Sequence, residues 1–110
     1  MINNIEHNEV LELKDQININ KGEIVSKALV QRKDMTLTLF GFSAGESIST
    51  HSSKGDAMVL VLEGEGEFTV GGVPKRAKAG EMIVMPATIP HAVKAITDFK
   101  MMLTVVFPVE

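Results

Sequence analysis

Short apolar runs interrupted by turn residues every eight to twelve positions or so constrain this chain more than any other feature. Met35-Thr36-Leu37-Thr38-Leu39-Phe40 alternates apolar and hydroxyl side chains, as a half-buried strand does. Ala57-Met58-Val59-Leu60-Val61-Leu62 is apolar throughout, which suits a strand covered on both faces. Gly64-Glu65-Gly66 reads as a turn, Glu67 to Val70 as a strand, and Gly71-Gly72 as a hairpin tip. Lys75 to Lys78, Met82 to Met85 and His91 to Ile96 follow as short strands, with Ala79-Gly80-Glu81 and Pro86 as their punctuation. In the last run, Phe99, Met101, Leu103, Val105 and Phe107 share one face, while Lys100 and Thr104 take the other. Val10 to Leu13 and Ile24 to Val30 add two further strands near the start. No segment sustains a helical apolar period over three turns. The pattern predicts an all-β sandwich or barrel.

A chain of 110 residues makes one small domain. Its core is expected over about residues 30–107, with 1–29 as peripheral strands or an arm. Hydrophobic residues make up 45% of the chain, enough to drive folding. With no cysteine there is no disulfide and no thiolate metal site, which fits a reducing cytoplasm. The formal net charge is −3 and no long basic cluster exists, which speaks against nucleic acid as a partner. The polar start MINNIEHNEV lacks the core of a signal peptide, and the longest apolar run is too short to span a bilayer. A cytoplasmic protein without a membrane partner is therefore expected. The doubly apolar Ala57–Leu62 run needs a second sheet or a partner subunit on the face that a barrel leaves open, which favours a homodimer, since an exposed apolar edge invites association.

Two spaced motifs then stand out. Gly45 is followed after five residues by His51, and Gly64 closes the stretch. Further on, Gly80, Pro86 and His91 are separated by five and by four residues. These spacings resemble the two conserved motifs of the small single-domain cupins, and the resemblance covers about Val30 to Phe107. It implies an antiparallel β-barrel of the jelly-roll type. In the family's first motif a second histidine and a glutamate follow; here Ser53 and Ala57 stand in their places. In the second motif, Thr88 replaces a glycine and Ala95 an asparagine. Two of the four ligand positions, His51 and His91, are thus retained.

Residues two apart on a strand look to the same side, so positions 51 and 53 both point into such a barrel. Imidazole and carboxylate ligands suit Fe, Mn, Ni, Cu or Zn, and a catalytic centre needs three or four of them with an open position. His51 and His91 alone fall short. Asp56, set in the turn-rich Ser52–Gly55 neighbourhood, is the candidate third ligand. Met58 would occupy the glutamate position under the longer motif spacing, and its thioether would favour copper.

The remaining candidates read more plainly. Ser47, Ser49 and Ser53 share a face with His51, but no nucleophile-elbow motif accompanies them. Glu63, Glu65 and Glu67 read as a solvated rim, Lys75, Arg76 and Lys78 as a charged strand edge, and His7 as a surface residue.

The expected function is a binding module. A small organic molecule would sit between His51 and His91, with Ser49 and Ser53 nearby and apolar walls from Val59, Val61, Val93, Leu103 and Val105. The alternative, implied by the resemblance, is a mononuclear metal-dependent enzyme of dioxygenase or isomerase type that uses the same two histidines.

Overall fold

The computed structural model describes Met1 to Val109. These residues form nine strands: β1 (Ile24–Gln31), β2 (Met35–Phe42), β3 (Ser47–His51), β4 (Asp56–Glu63), β5 (Glu65–Val70), β6 (Val73–Lys78), β7 (Met82–Met85), β8 (His91–Ala95) and β9 (Phe99–Val106). They build two antiparallel sheets, one ordered β1-β2-β9-β4-β7 and the other β3-β8-β5-β6. The all-β barrel expected from the sequence is the observed fold. Among the described residues no helix is long and apolar enough to cross a membrane.

The alternation of β4 and β9 explains how the sheets face each other. Ala57, Val59 and Val61 point inward, opposite Val105, Leu103 and Met101 of β9. They meet Phe68, Ala77, Val93 and Ala95 of the smaller sheet in the main core. One end of this core is filled by three phenylalanines. Phe42 and Phe99 lie 4.7 Å apart between ring centroids, and Phe68 meets Phe99 edge-on at 6.2 Å. Gly66 makes room for them, since a Cβ there would come within 2.9 Å of the Phe99 ring. Gly64 turns the chain between β4 and β5 with φ +74°, and a Cβ there would collide with the Asp98 carbonyl.

The N-terminal expectation needs one correction. Val10 to Leu13 is not a strand: the chain runs irregularly to a short 3-10 turn at Leu13–Gln16. The segment crosses the outer face of the large sheet as a cover instead of pairing with it. Ile17 packs with Leu29 and Leu39, and Ile5, Leu13, Leu62 and Met102 surround them. Two lysines tie the cover down, Lys100 Nζ donating to the Lys14 carbonyl at 2.7 Å and Lys27 Nζ to the Gln16 carbonyl at 2.9 Å. A run of this kind satisfies its apolar side chains without offering a backbone ladder.

This cover closes half of the outer face. Leu62 is beneath it, but Met58, Met82, Val84 and Val106 further along the same face remain exposed. The Ala57–Leu62 strand is therefore covered on both sides only at its Leu62 end.

Candidate functional site

The opposite end of the barrel is hollow. A cavity of about 250 Å³ is walled by Phe40, Met85, Met101, Leu103 and Phe107, with His51, Ser53 and His91 on one side. Val93 and Val105 line it as expected, whereas Val59 and Val61 lie buried in the solid core and do not. Phe40, Met85, Met101 and Phe107 escaped the sequence reading as wall residues. Their inward parity was legible, but which end of the barrel stays empty was not.

His51 and His91 sit directly opposite each other on β3 and β8. Their rings meet edge to face, 4.4 Å apart at 69°. The Nδ1 atom of His51 lies 2.9 Å from the Ser49 carbonyl, and that of His91 lies 3.2 Å from the Ile89 carbonyl. A carbonyl oxygen can only accept, so each Nδ1 carries the proton and donates. In the neutral ring this leaves Nε2 as a lone-pair acceptor. His91 is only 4% exposed, and burial pushes its pKa down, helped by the nearby His51 charge and opposed by the Ile89 carbonyl. His91 is thus the neutral imidazole at physiological pH. No buried side-chain nitrogen or oxygen among the described residues lacks a hydrogen-bond partner. The partnerless Nε2 of His91 is therefore not fully buried, and His91 lines the cavity.

Ser53 lines the cavity as expected, and its Oγ accepts the Gly55 N–H at 3.1 Å. Ser49 does not join it. The β3–β8 register shifts between Ile48 and His51, so one residue is added to β3 at this point. The bulge reverses the parity: Ile48 shares the inner side with His51, while Ser47, Ser49 and Thr50 line the outer surface. Ser49 contributes only its carbonyl to His51. A bulge has no signature in this sequence, and the simple alternation places Ser47 and Ser49 on the wrong side.

Asp56 does not reach the site either. It opens β4 one residue before the inward Ala57, and its Oδ1 accepts the Ala87 N–H at 2.8 Å. Met58 has the same outward parity and is exposed. Among the described residues no group of three His, Cys, Asp or Glu could hold a metal ion. The donor set therefore does not fit a three-ligand mononuclear centre: Ala57 has no donor, the Ser53 hydroxyl is engaged, and Asp56 serves the β7–β8 turn.

That turn holds the one strained residue near the site. Thr88, where the cupin motif has glycine, keeps a left-handed backbone at φ +68°. Its N–H donates to the Ser53 carbonyl at 2.7 Å. The turn is thereby bound to the β3–β4 loop, and Ile89 is held where its carbonyl meets His91.

The other expected roles can be placed briefly. Arg76 reaches Glu67 at 3.4 Å and Glu65 at 3.9 Å across the β5–β6 hairpin, so these half-buried glutamates are engaged by the exposed arginine and do not line the cavity. His7 is exposed, as expected.

Comparison with known proteins agrees with this architecture. The family profile described as "Cupin domain" matches residues 38–107. A conserved protein of unknown function from Streptococcus pyogenes is 46% identical, with 99% of this chain and 96% of that one covered and a TM-score of 0.96. A cupin superfamily protein from Desulfitobacterium hafniense is 27% identical over 98% of this chain and 99% of its own, with a TM-score of 0.94. A cupin 2 conserved barrel domain protein from Leptotrichia buccalis is 46% identical over 86% of this chain and 46% of its own, with a TM-score of 0.83. No curated protein matched. The profile match and the full-length likeness to the streptococcal protein together establish that the chain belongs to the cupin family.

Proposed function

We propose that this cupin binds a small organic molecule in the hollow end of its barrel. The observation that carries the reading is an apolar cavity of about 250 Å³ with two imidazole acceptors on one wall. Small-ligand sites have this character, mostly apolar with few polar anchors. An apolar cavity of about 150 Å³ already takes up benzene, so a ring with a short substituent fits here. Because each Nδ1 is committed to a carbonyl, the ligand must bring a donor, a hydroxyl or an N–H, to the Nε2 atoms.

The alternative is a metal-dependent enzyme with His51 and His91 as ligands. The orientation of each ring by a carbonyl is the arrangement that metal-bound histidines use, but the third ligand is missing. One experiment separates the two readings. The protein, purified without chelator, is analysed for metal and screened for thermal stabilisation by small phenols and hydroxy compounds, alongside His51→Ala and His91→Ala. A phenol that raises the melting temperature of the parent and not of His51→Ala supports binding. Near-stoichiometric metal lost in both variants overturns it.

The homodimer is proposed for the uncovered half of the outer face, where Met58, Met82, Val84 and Val106 are exposed in continuity with the half that the N-terminal segment covers. A second copy is the occupant because the apolar run of β4 passes unbroken from one half to the other. A monomer in sedimentation at micromolar concentration would remove this proposal.

A further inference from the structure

The two imidazoles of the cavity are side by side on one wall. His51 and His91 pair directly across β3 and β8, and their ring centroids are 4.4 Å apart. Each ring is fixed by its Nδ1 donation, at 2.9 Å to the Ser49 carbonyl and at 3.2 Å to the Ile89 carbonyl. Neither Nε2 has a hydrogen-bond partner among the described residues. The wall thus offers two neighbouring acceptors. A ligand with a single hydroxyl satisfies one of them and keeps water from the other, which costs affinity.

The rest of the lining narrows the choice. Ser53 Oγ accepts the Gly55 N–H at 3.1 Å, and every other lining side chain is apolar. An ammonium group would bring donors enough, but it would lose its hydration against walls that hold no carboxylate. An amide would bring two donors together with a strong acceptor, for which the wall has only the Ser53 hydroxyl. Two hydroxyls avoid both costs. The apolar walls select the scaffold, because Phe40, Phe107, Met85 and Met101 are among them. Phenyl edges and thioether sulfurs both make favourable contacts with an aromatic ring.

We infer that the ligand class is an ortho-diphenol, an aromatic ring whose two adjacent hydroxyls donate one to His51 Nε2 and one to His91 Nε2. The inference rests on the binding reading above and adds the second donor and its position. Hydroxyls on neighbouring ring carbons are the closest donor pair that a ring carries, and they match acceptors on neighbouring strands. Para hydroxyls point in opposite directions, so only one of them meets the pair. The second hydrogen bond should tighten binding by about three- to tenfold over a ligand with one donor at this end.

The test is calorimetry on the full chain, under nitrogen to prevent oxidation of the probes and with EDTA to prevent a metal bridge. The probes are catechol, guaiacol, in which one of the adjacent hydroxyls is methylated, and hydroquinone, which carries its hydroxyls at opposite ends of the ring. Each is measured with the parent and with His51→Ala. His51 is exposed, so folding is not at stake. Tighter binding of catechol than of the other two by the parent, with the advantage lost in His51→Ala, supports the inference. Equal or weaker binding of catechol overturns it and leaves the binding reading standing, because one donor then suffices. A catechol advantage that survives His51→Ala overturns the assignment of the second hydroxyl. Catechol binding that occurs only without EDTA overturns it in favour of a metal. Failure of all three probes also overturns it, and the binding reading then falls only if its own screen of phenols and hydroxy compounds fails as well.

Discussion

The two ends of the barrel interior share the same two sheets and the same alternation, yet one is solid and the other empty. At the solid end Phe42, Phe68 and Phe99 are fully buried and touch ring to ring. At the hollow end Ala57 and Ser53 face a cavity where the cupin motif would place a glutamate and a histidine. Small side chains at these two positions offer few donors and leave volume. The polar residues that remain, His51 and His91, have their backbone-facing nitrogens satisfied and their other nitrogens free. The solid end is packed as a core, and the hollow end is the place where the proposed ligand would sit.

The strongest way to break this comparison is to hollow out the solid end. Phe99→Ala removes the ring that Phe42, Phe68 and Gly66 enclose, and should cost about 3–5 kcal/mol. Domains of this kind have only about 5–15 kcal/mol in total, so urea denaturation should show a protein near its limit. A loss below about 1 kcal/mol would mean that the two ends do not differ in packing.

Filling the hollow end is the converse. Ala57→Leu adds its side chain to the cavity, where a packed core would resist it at about 1–3 kcal/mol. Here stability should change by less than about 1 kcal/mol while affinity for a phenol falls more than about tenfold, or about 1.4 kcal/mol. Calorimetry and denaturation on the same variant read both; strong destabilisation would show that the cavity is not space for a ligand.

A smaller effect is expected at Thr88. A β-branched residue in the left-handed region is strained by about 1–2 kcal/mol, so Thr88→Gly should stabilise the protein. Glycine's greater freedom in the unfolded chain offsets part of the gain, leaving about 0.5–1 kcal/mol by thermal denaturation. Destabilisation would show that the Thr88 side chain makes a contact that outweighs the strain.

The smallest effect should come from pH. The pKa of His91 is lowered in the folded state, chiefly by burial. Between that lowered value and the ordinary value near 6.5, the unfolded chain holds more protons, so folding weakens as pH falls below about 6.5. The penalty is complete once pH passes below the folded-state pKa. Stability curves of the parent and His91→Asn should therefore diverge on the acid side, the variant losing less. Parallel curves would show that His91 is not desolvated at the hollow end.

Much of this was legible in the chain. The runs Met35–Phe40, Ala57–Leu62 and Phe99–Phe107 alternate with turn residues strongly enough to give their strands and inward faces. Gly45, His51, Gly64, Gly80, Pro86 and His91 located the pair that the structure brings to 4.4 Å. The errors share one cause, which is that each depends on neighbours remote in sequence. Val10 to Leu13 has strand-like composition, but only Leu13 packs on the finished sheet face, Val10 is exposed, and the stretch finds no ladder. Ser49 was misplaced because a bulge in β3 is set by the register with β8.

By itself, then, the sequence determined the class of fold, the two histidines and the loss of two ligands, because periodicity, turn residues and motif spacing are local properties. Only the tertiary structure decided that Asp56 faces away, that Val59 and Val61 lie in solid core, and that Ser49 turns to the outer surface. Those outcomes follow from how nine strands pair and which end the phenylalanines fill. Such volumes and directions exist only once the two sheets have closed on each other.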